Sequence, residues 1–447
     1  MCTTQGQAQR IVSQKHKCTT LALRAQHEGG DRPVEHLLTA LWTFILFKFL
    51  RVFLFVVRLS RTETNRRNLG MNLTTHLNRN LGDTACLNCR DAVTLSPSPG
   101  LLTCPSCQHT YPVFDHIPIL LQDPDSSLAA AHGQHQALID ENTKWLETVR
   151  DAAGRQPHRA ALLNRAIHAY ESNNDYLNGL QATIERQLPK SKIDELRAED
   201  RLPRQYDLDE GISFFHRDWC WSERAETEIA EIVDTIQALV NDFADDVDRV
   251  LVPGAGAGRF ACELASTYDH CLAFDYCVHM AQIFYDLLDR DVTLSKVHFR
   301  SNVVKTDDVV VEDILSIDAP GSRRIRSQLE QGNLSYIITN ALDLPLPGNS
   351  LSAIVCVYFI DIVPLKTHLN EIRRTLKPGG LFINIGPLRF MRGDVANMLS
   401  GEEIMDLFRE SGFDILADGT VTNTQLTSSP VITSILSHNF MFVARKR

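Results

Sequence analysis

The chain has 447 residues, 44% of them hydrophobic, and a formal net charge of -10. That length is ample for two or three domains with buried cores, and the acidic balance argues against a general nucleic-acid binder, which would show a basic face. Of eleven cysteines, four stand in a metal-like pattern and others lie in apolar contexts such as Cys262 and Cys271, which reads as a reducing, cytoplasmic setting and not as a disulfide framework.

Residues 1–70 differ from the rest. The run from Leu37 to Val57 is mostly apolar, with Lys48 and Arg51 its only charges. It is long enough to span a bilayer, and too far from the start for an ordinary signal peptide. Arg58, Arg61, Arg66 and Arg67 follow it, which would keep the later domains in the cytoplasm. The two internal charges weaken a span, and Met71 offers a later start. A membrane anchor and an extension foreign to the natural protein are the two readings of this segment.

Cys86-Leu-Asn-Cys89 and Cys104-Pro-Ser-Cys107 come next, with 14 residues between the pairs. Two such pairs suit a tetrahedral four-cysteine site, each on a tight knuckle, and four thiolates with no open position point to structural Zn2+. A module this small depends on the metal for its folding free energy. Tyr111-Pro-Val-Phe-Asp-His-Ile-Pro-Ile-Leu-Leu121 follows. With it, residues 83–123 resemble the small zinc-ribbon proteins that activate tRNA, ribosomal-RNA and release-factor methyltransferases. That resemblance implies a platform packed against a catalytic domain, covering apolar surface.

Residues 125–203 carry helical periodicity with few glycines or prolines. Leu138, Trp145, Leu146 and Val149 form one face; Leu162, Leu163, Ile167 and Tyr170 a second; Tyr176, Leu177, Leu180 and Ile184 a third. These are packing faces. Asp194 to Pro203 is charged and reads as a linker.

From Arg204 onward strand and helix alternate. Strands are expected over 249–252, 271–275, 335–339, 352–358, 381–386 and 439–444, the last antiparallel. Helices are expected over 222–240, 258–267, 278–289, 366–376 and 401–411. Such alternation gives an α/β fold, a Rossmann-like sheet with helices on both faces. The most informative stretch is Arg249 to Asp275. An apolar strand meets Gly254, Gly256 and Gly258, a helix follows, and a second strand ends on Asp275. Glycine permits a sharp turn and close approach of a ligand, and the acid is placed for ribose hydroxyls. The dinucleotide fingerprint needs glycine at 259, where this chain has Arg259. The G-x-G-x-G spacing resembles instead the first motif of methyltransferases that use S-adenosylmethionine (SAM).

Further segments extend that likeness: Phe214-Phe-His-Arg-Asp-Trp219, Lys377-Pro-Gly-Gly380, Tyr358-Phe-Ile-Asp361, Ile385-Gly-Pro-Leu388 and Phe442-Val-Ala-Arg-Lys446. Taken together, residues 204–447 resemble the carnosine N-methyltransferase family, whose members transfer a methyl group from SAM to an imidazole nitrogen of a histidyl dipeptide. The resemblance implies that Arg217 holds the SAM carboxylate, that Gly254 and Gly256, with Gly258, form the cofactor loop, and that Asp275 takes the ribose. It places Asp343 beside the adenine and Cys356 near the adenine or methionine portion. Asp361 becomes the candidate catalytic residue. A carboxylate on the N–H side of an imidazole fixes the tautomer and stabilises the developing positive charge. The competing reading of Asp361 is a helix N-cap, since Pro364 and a helix follow.

The chain also departs from the family. Methionine stands at 391, where the family has a substrate-binding histidine, and Ser437-His-Asn-Phe440 replaces tyrosines near the final strand. Arg389 and Arg392 nearby hint at an acidic substrate, His438 offers a polar group, and the insertion 294–331 shows little family signature. The expected acceptor is a small imidazole-containing molecule and not a nucleic acid. The competing readings are a protein or RNA methyltransferase whose ribbon docks the acceptor, and a SAM-binding scaffold without catalysis.

Overall fold

The computed structural model describes residues 77–447 apart from 79–80, 82–83, 92–93, 96–99, 221–222, 245, 300–302, 304, 318–322, 391–393 and 426–434. The apolar run 37–57, the alternative start Met71, and Met391 and Arg392 lie outside the described residues. Among the described residues no helix is long and apolar enough to cross a membrane.

Four short strands come first: β1 (Thr94–Leu95), β2 (Leu101–Thr103), β3 (Thr110–Phe114) and β4 (Ile117–Leu120), paired antiparallel in sequence order. Asp115 and His116, with φ of 46° and 68°, make the two-residue turn between β3 and β4, the geometry that matches strand twist in tight hairpins. Helix α1 (Pro124–Arg155) then starts on Asp123, whose side chain accepts from the Ser126 N–H, with proline at the first position. It pairs with α2 (Ala160–Gln187). His132–Glu185, Asn142–Asn174 and Arg150–Glu171 contacts run in opposite chain order, so the two helices are antiparallel. The segment expected as a linker holds a further helix, α3 (Lys190–Ala198), because Ile193 and Leu196 bury themselves one turn apart. Helix α4 (Leu208–Trp219), capped by Asp207, contains the Phe214–Trp219 segment expected ahead of the first helix.

The catalytic alternation follows as α5 (Glu223–Phe243), β5 (Arg249–Pro253), α6 (Arg259–Ala265), β6 (His270–Asp275), α7 (Val278–Asp289), β7 (Val292–Val297), β8 (Val310–Leu315), α8 (Arg323–Gln331), β9 (Leu334–Thr339), β10 (Leu351–Val357), α9 (Leu365–Thr375), β11 (Leu376–Gly386), α10 (Gly401–Glu410), β12 (Phe413–Gln425) and β13 (Ile435–Lys446). Strands β7 and β8, inside the insertion, form a separate two-stranded antiparallel sheet. Every other strand joins one sheet in the order β1-β2-β3-β4-β9-β6-β5-β10-β11-β13-β12. From β4 to β11 neighbours are parallel, and β13 is antiparallel to β11 and β12.

The parallel strands are apolar on both faces, as a sheet covered by helices requires. Alternate residues go to opposite cores: Val250, Ala273, Tyr336, Val355 and Ile383 to one; Leu251, Leu272, Ile337, Ile354 and Phe382 to the other. The first core also takes Leu128, Leu138, Leu177 and Ile184 of the long helices. The second takes Leu87, Leu102, Tyr111 and Leu120 of the ribbon. β4 joins the parallel sheet through Ile119 opposite Ile338 and Leu120 opposite Thr339. The remaining edge of β9 is met by Asn78: its Oδ1 accepts from the Tyr336 N–H at 2.9 Å, and its Nδ2 donates at 2.8 Å to the Tyr285 hydroxyl, which donates to Tyr336 O.

Helix α1 meets α7 through two buried imidazoles, His135 and His279, with ring centroids 6.5 Å apart. Burial pushes His135 well below its ordinary value, with His279 adding to the effect, and lowers His279 to about 3. Neither ring gains a proton on folding, so between about pH 6.5 and 4 the unfolded chain binds more protons than the folded one. Stability is therefore expected to be flat above pH 7 and to fall as the pH drops through 6.5, before the carboxylate range is reached. Urea unfolding at pH 7.5, 6.0 and 5.0 checks this, and equal midpoints across that series would contradict it. Asn78→Ala leaves the buried Tyr336 N–H and Tyr285 hydroxyl without this partner. Its expected cost is about 2 kcal/mol by urea unfolding.

Candidate active site

The site is built on the turn after β5. Gly254, Gly256 and Gly258 have φ of 61°, 51° and 80°, the left-handed region that disfavours side chains. A Cβ on Gly254 would stand 2.1 Å from the Phe359 ring, and one on Gly258 would stand 2.5 Å from the Phe284 ring. Only at Gly256 is the nearest group in ordinary contact, the Met280 methyl at 3.8 Å. Gly254 and Gly258 are thus glycines because aromatic rings occupy the space, and Gly256 has the more open surroundings. The turn is held on several sides. The Gly256 N–H donates to Asp275 Oδ2 at 2.8 Å, Tyr336 Oη donates to Gly256 O at 2.8 Å, and Trp219 Nε1 donates to Ala257 O at 2.8 Å.

Asp275 ends β6 beside this turn. Its Oδ1 accepts from the Cys277 N–H at 2.8 Å, so both oxygens are already oriented by backbone donors. Burial raises its pKa, against the N–H groups of Cys277 and Gly256, which favour the carboxylate. Each carboxylate oxygen has a second lone-pair direction, which suits adjacent ribose hydroxyls.

Arg259, which breaks the dinucleotide fingerprint, is a buried hub. Its Nε pairs with Glu263 at 3.0 Å, its two Nη atoms pair with Glu226 at 3.1 and 3.0 Å, and Nη1 reaches Asp218 O. Its guanidinium lies 5.5 Å from the Trp219 ring. It ties the start of α6, and so the glycine turn, to α4 and α5. Burial disfavours its charge, but Glu226, Glu263 and Asp218 more than compensate and raise its pKa.

Arg217, on α4 near that hub, is 5% exposed. Its Nε donates to Asp218 at 2.5 Å, and its guanidinium lies 5.1, 5.6 and 5.8 Å from the rings of Phe214, Phe260 and Tyr358. Among the described residues its Nη atoms have no hydrogen-bond partner. Burial opposes the charge, and Asp218, with Tyr358 and Glu228, restores and raises its pKa. A charged fork walled by aromatic rings suits a carboxylate.

Across the crevice are the ends of β10 and β11. Tyr358 sits at φ 56°, strained for an aromatic residue, where a Cβ on Gly386 would come within 3.0 Å of its backbone. Its hydroxyl accepts from Asn423 Nδ2 at 3.0 Å, and Asn423 accepts from Asn439 at 2.7 Å. Asp361 follows β10. Its Oδ2 accepts from the Arg389 N–H at 2.9 Å, which joins the loops after β10 and β11. It is not a helix cap: α9 begins on Pro364, with no side-chain cap. Arg389 is exposed and acts electrostatically on the Tyr206 phenol, whose ring centroid lies 5.9 Å from that of Phe214.

Two of the expected cofactor residues, Cys356 and Asp343, are held by other parts of the chain. Cys356 lies on β10. It is fully buried in the core with Leu251, Phe274 and Phe382, and burial pushes its thiol well up. Its position on β10 faces the second core, because side chains alternate along a strand. Asp343, after β9, is 32% exposed and pairs with Arg90 of the ribbon. His438 lies outside the site, exposed and bonded to Thr422 at 3.0 Å. The structure therefore groups Arg217, Gly256, Asp275 and Asp361 about the C-terminal ends of β5, β6 and β10, at the point where strand order reverses. Sequence reasoning gave no role to Tyr336 or Asn423, and Trp219 and Asn439 entered it only inside longer segments. Nothing local sets Tyr336 apart from a core aromatic, and β12, which carries Asn423, was not recognised.

The four ribbon cysteines form a separate cluster. Their sulfurs all lie within 4.8 Å of one another, Cys86 to Cys107 at 3.6 Å and Cys89 to Cys104 at 3.4 Å. Four thiolates about 2.3 Å from one ion would stand about 3.8 Å apart, so the cluster fits a tetrahedral metal. An Asn88 hydrogen bond, helped by the His109 N–H, brings Cys107 down to about 6. At Cys89 an Asp91 backbone hydrogen bond favours the thiolate, but desolvation and the neighbouring thiols push it up to about 12. Thiols this close cannot all ionise without a cation among them.

The family model described as Carnosine N-methyltransferase matches residues 203–447. The carnosine N-methyltransferase of Mus musculus is 26% identical over 335 residues, covering 70% of this chain and 77% of that protein. That of Schizosaccharomyces pombe is 22% identical over 364 residues, covering 74% and 87%. A SAM-dependent methyltransferase from Aquifex aeolicus, a crystal structure, matches 54% of this chain and 100% of its own at 14% identity, with a TM-score of 0.34. The family match spans more than half of the chain and covers the glycine turn, the strand-end acid and both walls of the crevice: the chain belongs to the carnosine N-methyltransferase family and is a SAM-dependent methyltransferase.

Proposed function

We propose that the enzyme methylates an imidazole nitrogen of a histidyl dipeptide or a related small molecule, with Asp361 as its catalytic residue. The observation that carries this reading is the placement of Asp361. It stands beyond β10 in the crevice, with one oxygen fixed by the Arg389 N–H and, among the described residues, no hydrogen-bond partner on Oδ1. SAM supplies the methyl group on a sulfonium centre. Arg217 receives the methionyl carboxylate in its aromatic cage, Gly256 lets the cofactor approach the turn, Asp275 takes the ribose hydroxyls, and the Asp343 loop borders the adenine. Oδ1 of Asp361 then accepts the imidazole N–H. That contact holds the tautomer whose other nitrogen presents its lone pair, and it stabilises the cation formed on transfer. Holding the nucleophile in line is the larger part of the task.

The ribbon holds structural Zn2+ through Cys86, Cys89, Cys104 and Cys107. We place the enzyme in a reducing compartment such as the cytoplasm, on the metal-like spacing of four cysteines and the apolar setting of others such as Cys262 and Cys271.

Asp361→Asn keeps the size of the side chain and removes its charge. Turnover is expected to fall 100-fold or more, with the SAM dissociation constant within about threefold of the parent. Equal losses in both, or in neither, would rule out a catalytic role for Asp361. Isotope-labelled SAM incubated with histidyl dipeptides and with a metabolite extract, read by mass spectrometry, tests the acceptor. A labelled imidazole is the expected product, and its absence with SAM bound would shift the acceptor to a macromolecule.

A further inference from the structure

The loop 340–346 leaves the C-terminal end of β9, beside the end of β6 that carries Asp275. A parallel sheet takes its nucleoside in the crevice outside those strand ends, so this loop borders the cofactor. Much of what holds it comes from the ribbon. The Ala85 N–H donates to Pro345 O at 2.7 Å, Arg90 Nη1 donates to Leu344 O at 3.1 Å, and Arg90 Nη2 pairs with the Asp343 carboxylate. Thr339 Oγ1 donates to Leu120 O at 2.9 Å. Leu87, Cys86 and Cys104 share one core with Leu344 and Leu346. Helix α9 supplies the other support, with Glu371 accepting from the Leu344 N–H and Arg374 donating to Leu344 O and Leu346 O.

The direction of Arg90 is set by the metal-ligand knuckle. It follows Cys89 directly, sits at φ 66°, and its N–H donates to Cys86 O at 2.8 Å. The Cys86 N–H in turn donates to Asp91 O. A four-thiolate ion fixes such a knuckle, and loss of the ion leaves a segment too small to hold its own shape.

We propose that Arg90 is a positioning residue for the nucleoside half of SAM: presented by the cysteine knuckle, it holds Asp343 and the Leu344 carbonyl in the arrangement that receives the adenine, so the metal state of the ribbon sets cofactor affinity. This rests on the proposed adenine-side role of Asp343. A carboxylate paired with one guanidinium keeps lone pairs for a further donor. The ribbon thereby acts on binding of the cofactor and not on the transfer step.

The test uses the full chain, with its zinc content measured for each variant. SAM affinity is read by calorimetry, and kcat and KM by methyl transfer. Arg90→Ala is expected to raise the SAM dissociation constant and KM about fivefold, the upper end for one partly exposed pair, with zinc content unchanged and kcat shifted far less. Arg90→Lys, which keeps the charge and loses the fork to Leu344 O, is expected to recover part of the affinity. Removing the zinc with a chelator should weaken SAM binding tenfold or more, and refilling should restore it. Asp343→Asn, measured alongside, separates two failures. If it weakens SAM binding while Arg90→Ala does not, Arg90 has no positioning role and Asp343 keeps its place. If neither changes the affinity, both roles fall, while the dipeptide acceptor is still judged by its labelled product. Undiminished SAM affinity in the metal-free protein would overturn the link to the ribbon's metal.

Discussion

Everything at the crevice depends on a backbone that turns left three times within five residues. Gly254, Gly256 and Gly258 each take a positive φ, and two of them do so under aromatic rings that leave no room for a methyl group. Once that turn is fixed, its polar groups decide the neighbours. Its Gly256 N–H orients Asp275, its Gly256 carbonyl receives Tyr336, and its Ala257 carbonyl receives Trp219. Trp219 closes α4, and α4 carries Arg217. Arg259, at the first position after the turn, draws acids from α5 and α6 and a carbonyl of α4 onto one buried guanidinium. Removing one partner from such a network leaves buried charge without compensation, which is more costly than never having had the pair. The residues proposed to meet the cofactor are therefore tied to those that hold the fold.

Much of this was legible in the sequence, because strand and helix periods are written locally. The expected strands 249–252, 271–275 and 335–339 lie within β5, β6 and β9 to within a residue, and the expected helix 278–289 is α7. The four-cysteine spacing likewise became a cluster with sulfurs in mutual reach. The failures were of long-range origin. Arg259 was read only for what it excludes, since nothing local announces Glu226 and Glu263 as its partners. The surroundings of Cys356, a core shared with Leu251, Phe274 and Phe382, likewise come from neighbouring strands and are not announced locally. The linker reading of 194–203 gave weight to charge and missed that 194–198 complete a helix begun at Lys190, with Leu196 buried one turn after Ile193. Strand β12 was hidden because its sequence, Phe413–Gln425, is polar on the outward face and gains its structure from β13.

The largest difference between expectation and structure concerns the ribbon. Its sequence reads as a small module that packs against a catalytic domain. In the structure β4 continues the catalytic sheet itself, and ribbon side chains enter one of its two cores. A parallel edge exposes a row of unpaired N–H and C=O groups that another chain could add to. Here β4 and Asn78 together occupy the edge of β9.

The strand contact itself is slight: two residue pairs, Ile119 with Ile338 and Leu120 with Thr339. Between separate molecules, so short a ladder would have to offset the loss of translational and rotational freedom on association. Covalent connection removes that cost. The ribbon is always present at the high local concentration that a tether confers, and a contact too weak for a partner in solution becomes a permanent part of the sheet. Two pairs of residues, with the buried ribbon side chains and the hydrogen bonds of Ala85 and Arg90, thus register the four-cysteine module against the edge of the sheet, and the chain between them supplies the proximity.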